Sequence, residues 1–437
     1  EMIEDLCTLV RINSQRGEAK EHMPFGEGAA EVLAAAEGIA ENHPGPHTVA
    51  PAPGHREQGH AAHAEQGREG HNEGHDGKGQ TNTGQGQAAA VAHVADVDAI
   101  HQVVEHIDDL GRIPLQITKN SILPGGLHNP EKKSNMHKPC LAQHAAFLIE
   151  NGDGNAEWIR EYFPDLLRFI DCYRTDFRHE NGLYYWHDDA AIGVDNDPCT
   201  FYRPVDSSAS IYLNCMMYKE LEAACYIGKQ LGVDVSEYEA EKAHLKESVR
   251  THCYDEKDGM YYSVDLNLLP VTDKLLHRGA PRHWDCLIQR IGCWSGFLAM
   301  WSGIATQEQA ERMVRENLLD ENGFWAPFGV RTLSKYEKMY TVKPSGNPSC
   351  WLGPIWGVSN YLVFRGLVKY GFDQEAKALA ERTVVMFEKD LAAGGELHEY
   401  YDPESGEPVI NPGFQNWNLL SLNMRAWLNH EKVVEEF

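Results

Sequence analysis

The sequence predicts an all-α fold built from repeated helical hairpins, on three observations. From His101 onward, apolar residues recur three and four positions apart over long stretches, while strand-like alternation is scarce. Four loops repeat one pattern, a glycine turn that leads into aromatic or polar residues after a helix: "ENGLYYW" at Gly182, "KDGMYYS" at Gly259, "ENGFWAP" at Gly323 and "AGGELHEYY" at Gly395. Those glycines lie 77, 64 and 72 residues apart, roughly two helices with their loops, so each interval reads as one hairpin. Hairpins repeated this way stack into a solenoid or close into a ring.

Taken in order, residues 1–41 form a short helical segment, with an amphipathic helix, a turn at Pro24 and Gly26, and an Ala-rich second helix. Residues 42–100 read as a low-complexity linker or irregular segment. Between His43 and Ala90 the only large aliphatic or aromatic residue is Val49, too little apolar surface to offset the ordering entropy. The eight histidines from His43 to His93 are irregularly spaced, which favours a polar linker over a metal site. Residues 101–437 read as one helical domain, with helices expected over 139–151, 156–175, 208–231, 236–253, 295–302, 307–317, 356–370, 373–391 and 415–430. A ring of six hairpins at about 70 residues each needs on the order of 420 residues. The 337 residues from His101 fall short of that. Either the N-terminal helices complete the ring, or it is incomplete or irregular at its N-terminal part.

Composition excludes several function classes. Lys and Arg number 39 against 65 Asp and Glu, a formal charge of −26 that opposes binding to nucleic acid and to anionic membranes. The ten cysteines form no C-x-x-C pair, so neither a zinc ribbon nor a disulfide framework is expected, and a reducing, cytoplasmic setting is the default. No apolar run reaches the length of a membrane span, and "EMIEDLCTLV" lacks the basic start of a signal peptide. The oligomeric state is not legible.

The chemistry concentrates in two places. Near the C-terminus, Trp351 and Trp356 flank the Gly353-Pro354 turn that opens a helix, and the following hairpin ends at Glu399 in an aromatic, Gly-rich loop. Aromatic walls beside a carboxylate suit sugar recognition, although a buried aromatic cluster with a solvated acidic turn produces the same pattern. The second place is "AAIGVDNDP", where Asp195 lies thirteen residues after Gly182. If the glycine loops share one rim, Asp195 and Glu399 face a common cavity, and two carboxylates across a pocket are what glycoside hydrolysis needs. Asp195 has a bland alternative as a turn former before Pro198, and Asp188 and Asp189 are rival acids.

Two resemblances follow from longer motifs. Residues 2–41 resemble the beginning of M20 metallopeptidases, but no His-x-Asp motif with strand context follows them. From about residue 137, "GVDNDP", "VDSSASIYLN", "GIATQEQAERMV", "NGFWAPFGVRTLSK", "CWLGPIWGVSNYLVFRGLVKYG" and "HEYYDPESGEP" resemble the glycoside hydrolases of family 63, in the family's order over roughly 300 residues. That resemblance implies an (α/α)6 toroid and an inverting hydrolase of a small α-glucoside or α-mannoside, with neither metal nor cofactor. It implies Asp195 as general acid and Glu399 as general base. With them it implies Trp186, Gly193, Trp351, Trp356 and Gln415 as substrate contacts. Three departures stand out: Leu352 replaces the Arg of the family's "WRGP", "DNDPC" replaces "DNSPR", with Arg203 as a substitute cation, and the family's early Trp-Asp helix start has no counterpart. Two other readings stay open, a catalytically inactive carbohydrate-binding barrel and an M20-type metallopeptidase.

Overall fold

The computed structural model describes residues 97–113, 137–189, 192–274, 278–344 and 348–437, all within one compact unit. The expected segment 1–41 and most of the expected linker lie outside the described residues. Helical turns run over 97–104, across the boundary expected at residue 100.

Beyond residue 137, nine α-helices follow among the described residues: α1 (Leu141–Asn151), α2 (Phe163–Asp176), α3 (Ile211–Leu231), α4 (Ser236–His252), α5 (Leu298–Trp301), α6 (Gln307–Arg312), α7 (Gly357–Lys369), α8 (Asp373–Gly394) and α9 (Ser421–Leu428). Five expectations are adjusted. The run 295–302 opens as a 3-10 turn, Trp294–Phe297, before α5; 307–317 passes from α6 into a π-helix, Met313–Leu318; and 415–430 opens with a 3-10 turn, Trp417–Leu420, before α9. The other two change at their starts. Pro164 sits in the first turn of α2, where a missing N–H costs nothing, so the helix starts at Phe163 and only a short 3-10 turn, Glu157–Ile159, precedes it. Ser208–Ala209 is extended rather than helical and pairs with Val264–Asp265, which pairs in turn with Leu287–Ile288.

Helices that are buried on most sides alternate with helices that bury one stripe. In α3, 17 of 21 residues are buried, and in α7, 10 of 13; in the helices that follow them, α4 and α8, only 4 of 17 and 7 of 22 are. An α-helix apolar all round has to be surrounded by other elements. The inner helices meet one another in succession, α1 with α3, α3 with α5, α5 with α7 and α7 with α9, while α4 and α8 cover α3 and α7 from outside. Close approach depends on glycine at two places. A Cβ on Gly366 of α7 would lie 3.0 Å from the Met300 Cβ and 3.1 Å from the Trp301 amide nitrogen, and one on Gly357 would lie 2.4 Å from the Asn418 side-chain oxygen.

Each glycine turn lies in or just before a short antiparallel pair: Gly182 and Gly259 fall inside theirs, while Gly323 and Gly395 precede theirs. Tyr254–Asp255 pairs with Met260–Tyr261, Trp325–Ala326 with Gly329–Val330, and His398–Tyr401 with Pro408–Pro412, while Arg178 and Tyr184 form a single bridge. Gly182, Gly259 and Gly395 take left-handed φ values of 86°, 63° and 78°, which residues with a Cβ rarely adopt. After α9 the chain returns as a strap. Glu436 accepts hydrogen bonds from Trp301 Nε1 (3.1 Å), Tyr361 OH (2.8 Å) and Arg365 Nε (3.0 Å), and the Phe437 ring lies against Tyr226. The last residues thereby tie α3, α5 and α7 together.

Candidate active site

Asp195 sits in a tight loop between α2 and α3. The bend is made by its neighbour: Asp197 Oδ1 accepts the Cys199 N–H at 2.9 Å, and the Asp197 carbonyl accepts the Phe201 N–H at 2.7 Å. Asp195 lies in the turn closed by the Asp197 N–H on the Val194 carbonyl at 3.0 Å, so the turn-forming role weighed for it stays open beside the catalytic one. Gly193 enters the loop at φ 68°, with the Lys138 side chain laid across it, so that a Cβ there would come within 2.5 Å of Lys138 Cε. Asp195 itself is half-buried. Asp197 is buried, and that burial pushes its carboxyl above the usual carboxylate range.

Glu399 lies on the strand His398–Tyr401, and α8 fixes that strand through one carboxylate. Buried Asp390 accepts the His398 N–H (3.1 Å) and the Tyr401 hydroxyl (2.7 Å) on either side of Glu399. Backbone bonds between Ile355 and Tyr401, at 2.9 and 3.0 Å, hold the strand to the segment that opens α7. Glu399 is 6 % exposed; Ser349 Oγ donates to its Oε1 at 3.0 Å, and Asn411 Nδ2 donates to its Oε2. Asn411 reaches it from a left-handed φ of 56°, a conformation asparagine tolerates.

The two loops meet on three residues. Asn196 Oδ1 accepts the Trp351 N–H at 2.7 Å, so Ser349-Cys350-Trp351 is held by the Asp195 loop at one end and by Glu399 at the other. Around it the rings stack in series. Trp351 and Trp356 lie 3.8 Å apart and 10° from parallel, Trp294 stacks beyond Trp351 at 6.0 Å, and Tyr400 beyond Trp356 at 5.1 Å. Trp356 Nε1 donates to the Cys350 carbonyl at 2.8 Å, so this indole is engaged on both faces and at its polar edge. A small cleft with room for about one water borders the cluster, lined by Val194, Asp197, Tyr212, Trp294, Thr332 and Trp351.

Of the residues singled out in the sequence, Trp351 lines this pocket, and Asp195 and Gly193 flank its wall at Val194. Trp186 is buried behind it, 6.4 Å from the Tyr212 ring, with no hydrogen-bond partner on its indole nitrogen among the described residues. Gln415 is exposed, its carbonyl accepting the Leu419 N–H. The Arg203 guanidinium is paired with Asp265. Asn196, Ser349, Asn411 and Lys138 were not singled out, because their partners lie far away in the chain and no local pattern marks them.

The chain alternates inner and outer helices, its carboxylate-bearing loops converge on an aromatic segment, and by its family match it is a glycoside hydrolase domain. It belongs to the mannosylglycerate hydrolase MGH1-like glycoside hydrolase domain family, whose model matches residues 85–417. A cytosolic neutral trehalase of Kluyveromyces lactis is 25% identical over 266 residues, covering 57% of this chain and 32% of the relative. A probable mannosyl-oligosaccharide glucosidase of Schizosaccharomyces pombe is 26% identical, covering 69% of this chain and 36% of the relative. This chain thus spans about a third of the length of these curated relatives. The crystal structure of the GH63 mannosylglycerate hydrolase from Thermus thermophilus in complex with glucose shares the fold, with a TM-score of 0.56 at 18% identity over 76% of this chain and 88% of that one. Residues 2–41, which carry the metallopeptidase resemblance, lie outside both the matched range and the described residues.

Proposed function

We propose that this protein is an inverting glycoside hydrolase that cleaves a small α-glucoside or α-mannoside on an (α/α)6 toroid, with residues 101–437 as its catalytic domain. Asp195 is the general acid, giving its proton to the leaving oxygen, and Glu399 is the general base, activating water on the opposite face of the sugar. The observation that supports this reading best is the convergence of the two loops on Ser349-Cys350-Trp351. Trp351 supplies an edge to the sugar site and Trp356 backs it, Gly193 lies beside it, and Trp186 and Gln415, which the sequence resemblance implies as substrate contacts, would reach a sugar only if the loops rearrange on binding. Ser349 and Asn411 hold the Glu399 carboxylate in orientation and leave two of its roughly four lone-pair directions for water.

A carbohydrate-binding barrel without turnover is the second reading. The depth of Glu399, with both oxygens already bonded, favours it. Activity decides between them. A panel of mannosylglycerate, glucosylglycerate and trehalose, with the anomer of the released sugar followed by proton NMR, should show hydrolysis with inversion for one member. Asp195→Asn and Glu399→Gln should each lower turnover by about 10²–10⁴ with the fold intact. Near-normal turnover in Asp195→Asn would move the acid role to Asp188 or Asp189, and sugar binding without hydrolysis in the unmutated protein would leave the second reading.

A further inference from the structure

Beside the proposed acid lies a group that glycoside hydrolysis does not use. Asp197, Cys199 and Cys293 are all buried, at 5 %, 1 % and 8 % exposure, and their ligand atoms lie within 4.8 Å of one another. Asp197 and Cys199 are the two positions at which "DNDPC" departs from the family's "DNSPR". The Cys199 and Cys293 sulfurs are 3.8 Å apart, and Cys293 Sγ is 3.9 Å from Asp197 Oδ1. Around a tetrahedral ion with metal–sulfur bonds of about 2.3 Å, two sulfurs stand about 3.8 Å apart, and a sulfur and an oxygen about 3.5 Å. Of the three edges, the sulfur–sulfur one is matched, the Cys293–Asp197 one needs a shift of a few tenths of an ångström, and the Cys199–Asp197 one lies within 4.8 Å. Asp197 receives its hydrogen bonds from neutral donors, the Cys199 N–H and the Thr200 hydroxyl, so a cation would compensate a carboxylate that is otherwise costly to bury. Asp197 and Cys293 both line the small cleft beside the aromatic cluster, whose room for about one water offers a fourth ligand position.

We propose that Asp197, Cys199 and Cys293 form a binding site for a thiophilic divalent cation of the zinc class. Two thiols and a carboxylate select such an ion over Mg2+ or Ca2+, which prefer all-oxygen sets. On binding, the two thiols each release a proton to solvent and the sulfurs become thiolate ligands. The ion then ties the acid loop, through Asp197 and Cys199, to the segment just before Trp294. The site stands whether or not the chain hydrolyses a glycoside.

The test is Co2+ titration of the reduced, metal-free full chain, read by absorption. A second cluster, His252, Asp285 and Cys286, also brings metal-binding atoms together, so the titration is run in the Cys286→Ser background. The expected result is one Co2+ per chain with a thiolate-to-metal charge-transfer band and tetrahedral visible bands, displaced by Zn2+. Cys199→Ser and Cys293→Ser should each weaken binding about 100-fold or more, at least the upper end of what losing an outer-shell partner costs. If either variant misfolds, protection of the two thiols from maleimide by Zn2+ in the unmutated chain gives the same answer. No charge-transfer band, a band that survives the double Cys→Ser change, or thiols that react equally fast with and without Zn2+ would overturn the site.

Discussion

Glu220 shows how one side chain serves two elements. It belongs to α3, yet its carboxylate accepts the Ala142 N–H at 2.7 Å and the Gln143 N–H at 3.1 Å, capping α1, whose own N-cap Cys140 makes no side-chain capping bond. Burial nevertheless pushes its carboxyl from the ordinary 4.5 up to about 7. The unfolded chain therefore loses this proton at lower pH than the folded one. The stabilisation is complete below about 4.5 and disappears as pH rises through about 7, a loss on the order of 3 kcal/mol. Urea midpoints measured from pH 4.5 to 7 should fall for the wild type and flatten for Glu220→Gln, and equal slopes would remove Glu220 as the cause. At this scale the sequence was legible only in part. Asp195 and Glu399 stood out because each sits in a recognisable motif, and Trp351 because indoles are rare. Ser349 and Asn411 did not, since small polar residues acquire a role only when the fold sets them against a carboxylate 50 or 12 positions away.

At the scale of elements, hydrophobic periodicity located the helices well and their ends less well. The run from 156 failed at its start because Pro164 sets where α2 begins, and 208–210 failed because its partners, Val264–Asp265, are distant in sequence. Periodicity also could not separate inner from outer helices, because α3 and α8 both show the period and differ only in whether the second face is apolar. What lets the inner helices approach is their small residues. Gly366→Ala keeps or raises helix propensity, yet its Cβ would press on Met300 and the Trp301 backbone at 3.0–3.1 Å, where backbone has little room to give. The expected net effect is destabilisation by about 1–2 kcal/mol, seen as a lower urea midpoint at unchanged m-value. A neutral or stabilising result would mean that α5 and α7 pack more loosely than this.

At the scale of the molecule, the recurring glycine loops revealed the hairpin repeat, while the strap at 431–437 had no signature at all. Charged residues near a chain end read as solvated, and only the fold turns Glu436 into the acceptor shared by α5 and α7. Arg365 is 10 % and Glu436 12 % exposed at the side chain, so Glu436→Ala strands a guanidinium that keeps only the exposed Glu435 beside it. The loss should be about 3 kcal/mol of unfolding free energy by denaturant titration. A change within about 0.5 kcal/mol would mark the strap as ornamental. The stacked indoles have a consequence of a different kind. Rings 3.8 Å apart couple their electronic transitions, so Trp351 and Trp356 absorb light as a pair rather than as two of ten independent chromophores. Their near-ultraviolet circular dichroism is then large for their number, and it depends on the Asn196 bond above them and the Tyr400 ring below. Loosening of the loops around the pocket becomes visible as a loss of optical activity near 290 nm, roughly the indole band, while the far-ultraviolet signal of the helices stays unchanged.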